Sequence, residues 1–549
     1  MSIDEIELII KKYSNHPSIR LISSRHHITD TSKSFSFINV TPDQVRRVIL
    51  DLDPQKSVSG PFPSKVVRMV ADIISLPIAQ CINSAIKFSK FPQSLKLADI
   101  SPIFKKGDKF LKENYRPISI LPSFSKIFEK VLFSQMTEYF DSILHPHICG
   151  FRSKHNTQHA LLRMIGEWHK CLDRSGKVGA ILIDLSKAFD CIEHDLLIAK
   201  LAAYGLDRAS LKLVKCYLSN RYQRTKVGSV YSTWLKILKG VPQGSILGPL
   251  LFNIFINDLL AIVEKTDICN FADDNTIYSC ANSTAEVTSN LKQDLSKILF
   301  WFRSNLLAAN PSKFQMLVLG ENNLNLPITI SIENFTISST ETVELLGISI
   351  DSKLSFSGHI SSICRKAGNR VRSLNRFRSV LTNKQLFLLF NTYILSAFNY
   401  APILWMFCSK TSCREIDSIH KRALRAVCQD FSSNYEILLQ NSGYRRIHET
   451  HLRFILSEIF KTQHNLNPEF MKALFSPKPV RYSLRNQNLL SLPSAKSSRF
   501  GTQSFIFRGS LLWNNIPDSL KSKSTLDTFK QSLKAFNLME LCLCKICSF

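Results

Sequence analysis

Acidic residues are scarce in this sequence of 549 residues, which has 43 aspartates and glutamates against 70 lysines and arginines. The net charge of +27 costs self-repulsion in the folded state, and a polyanionic partner is the usual reason for such an excess. Residues 351–549 have 29 basic and 11 acidic side chains, and no acidic residue lies between Leu354 and Cys413. This asymmetry predicts a C-terminal region that binds a phosphate backbone; the alternative is a solvated basic surface without a partner.

The sequence also lacks an uninterrupted apolar run of membrane-spanning length. The most apolar stretch, Leu386–Cys408, contains Asn391, Ser396 and Pro402, so a buried helical hairpin explains it better than a spanning helix. No secretory leader is present, and the 14 cysteines are scattered, which predicts reduced and mostly buried thiols in an intracellular protein. The cluster Cys542, Cys544 and Cys547 lacks a fourth zinc ligand and is interpreted as a plain tail.

Composition is otherwise ordinary, with 44% hydrophobic and 21% charged residues, so a disordered chain is excluded and several folded units are expected. Strand and helix patterns alternate without strict βαβ spacing, which favours an α+β sheet backed by helices. The elements predicted from these patterns are a helix capped at Thr41, a helix over 123–140, a buried strand over 179–183, a helical region over 196–220, a strand pair around 270–278 and a linker over 476–501.

Three aspartates stand where a ligand can reach them. Asp184 directly follows the apolar strand predicted over 179–183, although an ordinary acidic turn at the end of a strand is the alternative. Asp273 and Asp274 occupy the tip of a predicted hairpin. Adjacent like charges cost energy unless a cation neutralises them, so a divalent ion explains the pair better than a surface turn does.

Two further motifs have weaker signals. The glycine-rich loop that contains Gln243 and Gly244 precedes an apolar helix and would let a nucleic-acid backbone or base approach closely. The basic residues Lys105, Lys106 and Arg116 on a strand pair would suit a triphosphate. An ordinary loop and a solvated surface are their respective alternatives.

The order and spacing of these motifs resemble the reverse transcriptases of non-LTR (LINE-type) retrotransposons, most closely the jockey-like groups. The resemblance runs from about Phe35 nearly to the C-terminus. The matching blocks are PIFKKGD at 102–108, NYRPISIL at 114–121, GFRSKHNT at 150–157, ILIDLSKAFDCIEH at 181–194, GVPQGSILGPLLFNIFIND at 240–258, FADD at 271–274, ANPSK at 309–313 and ELLGISID at 344–351.

The resemblance implies an α+β right-hand polymerase with fingers, palm and thumb and a helical, basic C-terminal region. The expected boundaries are residues 1–34 without a clear domain, 35–79 as a helical N-terminal extension of the fingers, 80–350 as the reverse transcriptase domain with fingers and palm, 351–475 as a helical thumb and 476–549 as linker and C-terminal region.

The resemblance also implies roles for single residues. Asp184, Asp273 and Asp274 would hold two Mg²⁺ ions, with Mn²⁺ able to substitute. Phe189 would exclude a 2′-hydroxyl, with core packing as the alternative, and Asp190 would support the site from outside the metal shell. The residues expected to bind the incoming nucleotide are Lys105, Lys106, Arg116, Phe189, Gln243, Gly244 and Lys313, with Lys313 as the candidate proton donor to pyrophosphate.

The expected partners are an RNA template, a DNA primer and dNTPs. No association with a membrane is expected, and the expected location is the nucleus and cytoplasm. Nucleic acid would be bound by Arg152, by Gly347 in a hairpin that grips the primer end, and by two helix faces with Arg365, Arg372, Arg376 and with Lys421, Arg422, Arg425. Two alternatives stay open: an RNA-directed RNA polymerase, and a catalytically silent remnant that only binds nucleic acid.

Three departures from the family accompany the resemblance. Residues 1–34 are too short for the endonuclease domain expected before the polymerase, the Gly-Pro-Asp-Gly turn appears as Gly60-Pro61-Phe62-Pro63, and no RNase H signature is evident.

Overall fold

The computed structural model describes residues 3–25, 34–321, 327–479 and 488–541, and the cysteine cluster at 542–547 lies outside these ranges. The first elements are α1 (Ile3–Tyr13), α2 (Pro17–Ser24), α3 (Pro42–Leu50), α4 (Ser64–Met69), α5 (Ala71–Phe88), β1 (Leu97–Phe104), β2 (Tyr115–Ile120) and α6 (Ser123–Phe140). The predicted helices at 42 and 123–140 are therefore confirmed. At Thr41 the predicted cap is a full capping box with Gln44, which satisfies two backbone N–H groups at the helix end.

The middle of the chain alternates strands and helices. Its elements are α7 (Thr157–Asp173), β3 (Lys177–Ile183), β4 (Leu185–Ser186), α8 (His194–Ala203), α9 (Arg208–Leu218), β5 (Arg221–Val227), β6 (Val230–Tyr231), β7 (Leu235–Ile237), α10 (Leu247–Ile256), β8 (Asp267–Phe271), β9 (Asp274–Ala281), α11 (Thr284–Ser304), β10 (Ala308–Ala309), β11 (Gln315–Leu319), β12 (Thr329–Ile332), β13 (Phe335–Thr340), β14 (Thr342–Leu345) and β15 (Ile348–Asp351). The helical region predicted over 196–220 is two helices, because the chain turns at Gly205, which has a φ of +95°.

A six-stranded sheet, the central sheet, has the order β12-β13-β11-β3-β9-β8. Its strand β3 is buried on both faces: Ala180 and Leu182 join the core around α7, whereas Ile181 and Ile183 join the core around α11. Gly179 lets α11 approach closely, since a Cβ atom there would lie 2.4 Å from Val287. The predicted buried strand is therefore confirmed, and both covering helices fix its position.

A second sheet, which we call the fingers sheet after the domain expected to contain it, has the order β2-β1-β5-β6, and β7 pairs with β5. Strands β1 and β5 are parallel, and one face of β1 is buried through Ala98 and Ile100. The N-terminal helices α1 and α2 contact α8 and bury Ile6 and Ile22. Residues 3–25, for which no clear domain is expected, are thus part of the folded body.

The remaining elements are helical: α12 (Ser357–Phe377), α13 (Asn383–Leu389), α14 (Ser396–Phe398), α15 (Lys410–Cys428), α16 (Tyr435–Ser442), α17 (Ile447–Gln463), α18 (Met471–Leu474), α19 (Phe505–Asn515), α20 (Asp518–Lys521) and α21 (Leu526–Lys534). Helices α12 and α15 pack together and bury the apolar faces that the sequence predicts. Helix α17 packs against α19 and α21, so the last part of the described chain completes the same core.

The predicted linker over 476–501 is not a free connection in its described part. The backbone N–H groups of Lys496 and Ser497 donate to the Asp173 carboxylate of α7, and Leu490 is buried. In the described part of this segment, which is rich in serine and proline, the backbone is irregular and is held in place by these contacts. Residues 480–487 of the predicted linker lie outside the described residues.

The apolar stretch at 386–408 forms α13, a π-helical turn (Phe390–Leu395), α14 and a short 3₁₀ turn, with Phe390, Phe398 and Trp405 buried. None of the helices formed by the described residues is both long and apolar enough to cross a lipid bilayer. Cysteine burial is more mixed than expected, since Cys81 and Cys280 are exposed while Cys149, Cys269, Cys364 and Cys413 are buried.

Candidate active site

The antiparallel pairing of β3 and β9 brings the aspartates together. Ile183 is paired with Asn275, so Asp184 follows the end of β3 beside Asp274 at the start of β9. Asp273 lies in the tight turn between β8 and β9, where Ala272 has a φ of +56°. The three carboxylates therefore share one rim of the central sheet.

Two buried asparagines hold this turn. The Asn270 side-chain amide donates to the Ala272 carbonyl and to Asn275 Oδ1, both at 2.9 Å, and the Asn275 amide donates to the Asp273 carbonyl at 3.2 Å. Gly150 supports the turn from behind, since a Cβ atom there would lie 2.4 Å from the Ala272 nitrogen. Sequence reasoning missed these residues, although a polar residue inside an apolar strand was an available signal.

The carboxylates perturb one another. Partial withdrawal from water, and then the charges of Asp273 and Asp184, raise the pKa of Asp274 to about 6, while Arg116 opposes the rise. Lys313 Nζ lies 3.3 Å from Asp184 Oδ2. The site is thus an acidic centre with cations at its margin.

Lys313 is positioned by the turn before it. The Asn310 N–H donates to the Asp184 carbonyl at 2.9 Å, and Ala309 of β10 pairs with Leu185 of β4. The segment that carries Lys313 is therefore attached to the same backbone that carries Asp184, which brings together two residues separated widely in sequence.

The glycine-rich loop is attached to the segment after Asp184. Val241 N–H donates to the Phe189 carbonyl at 2.9 Å, and Gln243 Nε2 donates to Asp190 Oδ1 at 2.9 Å. On its other side, the Gln243 carbonyl accepts from the Ser119 N–H of β2. The loop thus bridges the fingers sheet and the segment at the carboxylate rim. Gly244 is required there, since its φ is +117° and a Cβ atom would lie 2.6 Å from the Ser119 carbonyl oxygen.

Phe189 is half-buried beside this loop. Its ring stacks on Phe252 of α10 with 4.3 Å between centroids and lies edge-on to Phe151 at 6.0 Å. The packing fixes the ring orientation, which is compatible both with a sugar gate and with a purely structural role.

A cavity of about 520 Å³ lies at the carboxylate rim. Its lining includes Lys106, Asp184, Asp274, Lys313 and Gly347, and so joins the fingers sheet, the central sheet and the β14–β15 hairpin. The hairpin turn uses positive φ angles at Leu346 and Gly347, and Tyr400 donates to the Leu346 carbonyl. Lys105 and Arg116 are exposed on the fingers sheet, outside this lining.

Three carboxylates supply the oxygen ligands that divalent cations prefer, and a cation would relieve the repulsion that raises the Asp274 pKa. Within the described ranges, no group of three His, Cys, Asp or Glu side chains is already gathered closely enough to hold an ion. The donor set fits a divalent metal by the chemistry of its three carboxylates.

The predicted nucleic-acid residues differ in their surroundings. Arg365, Arg372 and Arg376 are exposed on α12, and among the described residues they take part in no hydrogen bond or ion pair. Lys421 and Arg422 remain accessible on α15.

Two predicted contacts need correction. The Arg152 guanidinium is only 10% exposed and donates to the carbonyls of His145 and Asp141 and to the Asp141 carboxylate, so it holds a loop rather than a phosphate. Arg425 is half-buried, not outward, and donates to the Ser433 carbonyl.

The central sheet with its carboxylate rim, the fingers sheet and the basic helices are consistent with the α+β fold of a right-hand polymerase. Residues 103–350 match the family described as reverse transcriptase (RNA-dependent DNA polymerase). Residues 103–350 are thus similar to reverse transcriptases, and the wider chain is similar to polymerases of non-LTR retrotransposons, which confirms the resemblance and the α+β fold class. Reverse transcriptases generally use divalent metal ions.

Three relatives show the range of similarity. The chain is 27% identical over 450 residues to the probable RNA-directed DNA polymerase from transposon BS of Drosophila melanogaster, covering 73% of this chain and 48% of the relative. It is 29% identical over 337 residues to the RNA-directed DNA polymerase from mobile element jockey of the same species, covering 59% and 36%. It is 25% identical over 393 residues to the Pol polyprotein from element R1 of Bradysia coprophila, covering 67% and 38%. The chain spans about half or less of the length of these relatives.

Proposed function

We propose that this chain is the RNA-directed DNA polymerase of a non-LTR retrotransposon and that it extends a primer 3′-hydroxyl on an RNA template. The observation that carries the proposal is the shared cavity, where Asp184 and Asp274 meet Lys106 of the fingers sheet and Lys313. Carboxylates that can hold metal ions, set opposite cations that can hold a triphosphate, suit nucleotidyl transfer.

In this proposal Asp184, Asp273 and Asp274 hold two Mg²⁺ ions, which would activate the 3′-hydroxyl and neutralise the leaving pyrophosphate. The chain's own cations act on the nucleotide: Lys105, Lys106 and Arg116 bind the triphosphate, and Lys313 delivers a proton to the departing pyrophosphate. The 3.3 Å distance between Lys313 and Asp184 supports this role, because it places an ammonium donor at the acidic rim.

The glycine-rich loop and Phe189 beside it select the sugar of the nucleotide and position the template base. Phe189 limits space at the 2′ position of the incoming nucleotide, while Gln243 and Gly244 border the nucleotide and the template base. Support comes from the backbone hydrogen bond between Val241 and Phe189, which joins the loop to the segment that carries the ring. Gly347 and the accessible cations of α12 and α15, without Arg152 and Arg425, contact the template–primer.

The decisive experiment is primer extension by the purified full chain on an RNA template, with dNTPs and rNTPs in separate reactions containing Mg²⁺ or Mn²⁺. We expect dNTP-dependent extension that Asp184→Asn or Asp273→Asn abolishes, with duplex affinity nearly unchanged because these side chains do not grip the backbone. Glu341→Gln removes an equal charge from an exposed position and serves as the matched control.

Other outcomes select the alternatives. Extension with rNTPs in preference to dNTPs would identify an RNA-directed RNA polymerase. Tight duplex binding without extension by the parent chain would identify a silent remnant.

A further inference from the structure

The solvent face of the fingers sheet presents an ordered group of aromatic and basic side chains. Residues that are directly paired on neighbouring strands share a face, and Lys226 is paired with Tyr231 while Tyr222 is paired with Lys236. By strand alternation Arg224 lies on that same face. We call Arg224, Lys226, Tyr231, Trp234 and Lys236 the aromatic platform.

The platform is rigidly built. The Arg224 guanidinium lies 3.9 Å from the Tyr231 ring centroid and 4.6 Å from that of Trp234, so the arginine is stacked between both rings. Asp99 on the paired strand accepts from Arg224 at 2.8 Å and fixes it in place. The rings nevertheless remain 42% and 40% exposed. Each ring is thus held in position while part of its surface stays open.

Apart from Asp99, which binds Arg224, the charge around the platform is basic. No aspartate or glutamate occurs from Arg208 to Asn257, a stretch with eight lysines and arginines. Lys226 and Lys236 are exposed, and within the described ranges neither forms an ion pair. Exposed aromatic rings interleaved with unpaired cations fit a single-stranded polynucleotide, whose bases stack and whose phosphates need neutralising.

The platform lies on the same sheet as β1, and Lys106, which lines the active-site cavity, follows β1. Strands β1 and β5 run parallel, with Leu97 paired to Tyr222 and Ile100 to Thr225. The β5–β6 turn therefore points toward the same end of the sheet as Lys105 and Lys106, which follow β1. A single-stranded polynucleotide that leaves the cavity past Lys106 would therefore reach this sheet at the end that carries the β5–β6 turn.

We propose that the aromatic platform binds the unpaired template strand ahead of the active site, by stacking bases on Trp234 and Tyr231. The inference rests on the proposed polymerase function for the identity of the strand. Lys226 and Lys236 neutralise its phosphates, and the contact is independent of base sequence because every base has a stacking face. The platform would hold the template in single-stranded form before copying.

The first test compares two template–primers that share one duplex, one with a template 5′ overhang of about eight nucleotides and one with a blunt end. The parent chain should bind the overhang substrate more tightly. Trp234→Leu should weaken that binding about tenfold and leave blunt binding unchanged, whereas Trp234→Phe should restore it. The control is Leu235→Ala, an exposed neighbour on the opposite face.

Equal losses on both substrates, or no loss on either, would overturn the proposal. If Leu235→Ala and Trp234→Leu instead both leave RNA binding intact but abolish association with a protein partner, the surface is a protein interface and the proposal is wrong.

A second readout uses the tryptophans themselves. The sequence has five, and Trp168, Trp301, Trp405 and Trp513 are at most 3% exposed, so Trp234 alone is accessible. An oligouridine should quench the fluorescence of Trp234 and reduce its further quenching by acrylamide. The variant Trp234→Phe should lose this response. Absence of quenching at saturating RNA contradicts the platform.

The same measurement separates the two proposals. It needs no nucleotide and works in the Asp184→Asn background. If the parent chain shows quenching but no extension, the polymerase proposal is wrong and the platform proposal stands. If it shows extension but no quenching, the platform proposal is wrong and the polymerase proposal stands.

Discussion

The central sheet and the helix pair α12–α15 both carry the charged side chains assigned to function, yet they hold them in opposite ways. Asp184 and Asp274 are fixed by a strand pair covered on both faces, and the turn between the strands is held by buried asparagines. Arg365, Arg372 and Arg376 are instead exposed on a single helix whose other face is buried.

The difference follows from the charges themselves. Negatively charged carboxylates repel one another, so they stay close only where the folded backbone holds them near each other. Arginines that meet a polyanion from solvent need a shared face and freedom to adjust, since each phosphate contact is largely independent. The acidic site therefore depends on packing far more than the basic surface does.

Apart from removing an aspartate itself, the largest effect should come from disturbing the support of the acidic turn. In Gly150→Ala the new Cβ atom would lie 2.4 Å from the Ala272 nitrogen and force the turn to shift. Because displacements of about 1 Å in active sites cost on the order of 100-fold in rate, we expect a loss of that size in primer extension.

Gly358→Ala is the matched control, since a Cβ atom there meets nothing within 4 Å. Normal extension by Gly150→Ala would show that the turn tolerates movement and would remove the contrast between the two regions.

The basic surface should respond in affinity and not in chemistry. Replacing Arg365, Arg372 and Arg376 by Gln removes three exposed cations on α12, so the slope of log affinity against log salt should flatten by roughly two to three units. Extension should give short products through early dissociation. The control replaces Lys523, Lys530 and Lys534 near and in α21; a parental slope in the arginine variant would place those arginines away from the duplex.

A smaller change is expected at the sugar. Phe189→Ala removes the ring that stacks on Phe252, so the ratio of rNTP to dNTP incorporation should rise while both remain measurable. Single-nucleotide kinetics on an RNA template measure this ratio, and Phe300→Ala, an exposed position of α11, is the control. An unchanged ratio would assign Phe189 to packing alone.

The smallest effect concerns the contact between α7 and α17. Burial alone would raise the pKa of Glu458, but hydrogen bonds from His159 at 3.0 Å and Lys461 at 2.6 Å outweigh it and hold the pKa at about 2. Because the folded pKa is depressed, this stabilisation is complete above the unfolded value of about 4.3 and is lost as the pH falls toward 2.

Glu458→Gln should therefore lower the free energy of unfolding by about 2–3 kcal/mol at pH 7. The difference from the parent should shrink between about pH 4.5 and pH 2.5, as followed by denaturant unfolding. The exposed Glu469→Gln is the control. A difference that does not depend on pH would assign the effect to packing.

Sequence patterns predicted most helices and strands of the fold and named the candidate residues of the active site. The apolar run at 179–183, the acidic turn at 271–274 and the heptad-like arginines of α12 each depend on residues close in sequence, and local propensity decides such features. The order of the motifs identified the family, because spacing along the chain survives when most side chains change. The aspartates could therefore be named before their positions were seen.

The tertiary structure decided which side chains are already engaged within the folded chain. Arg152 is the residue type expected to bind a phosphate, but its guanidinium donates to the carbonyls of His145 and Asp141, and the predicted linker is anchored by Asp173. Gly150 supports the acidic turn through a close approach to Ala272 that no local pattern encodes, whereas Asn270 supports it through residues of the turn itself. Sequence by itself fixed which groups are available for chemistry. Hydrogen bonding and burial in the folded chain, with partners seven and eleven positions away for Arg152 and 323 positions away for the predicted linker, decided which of them remain free to do it.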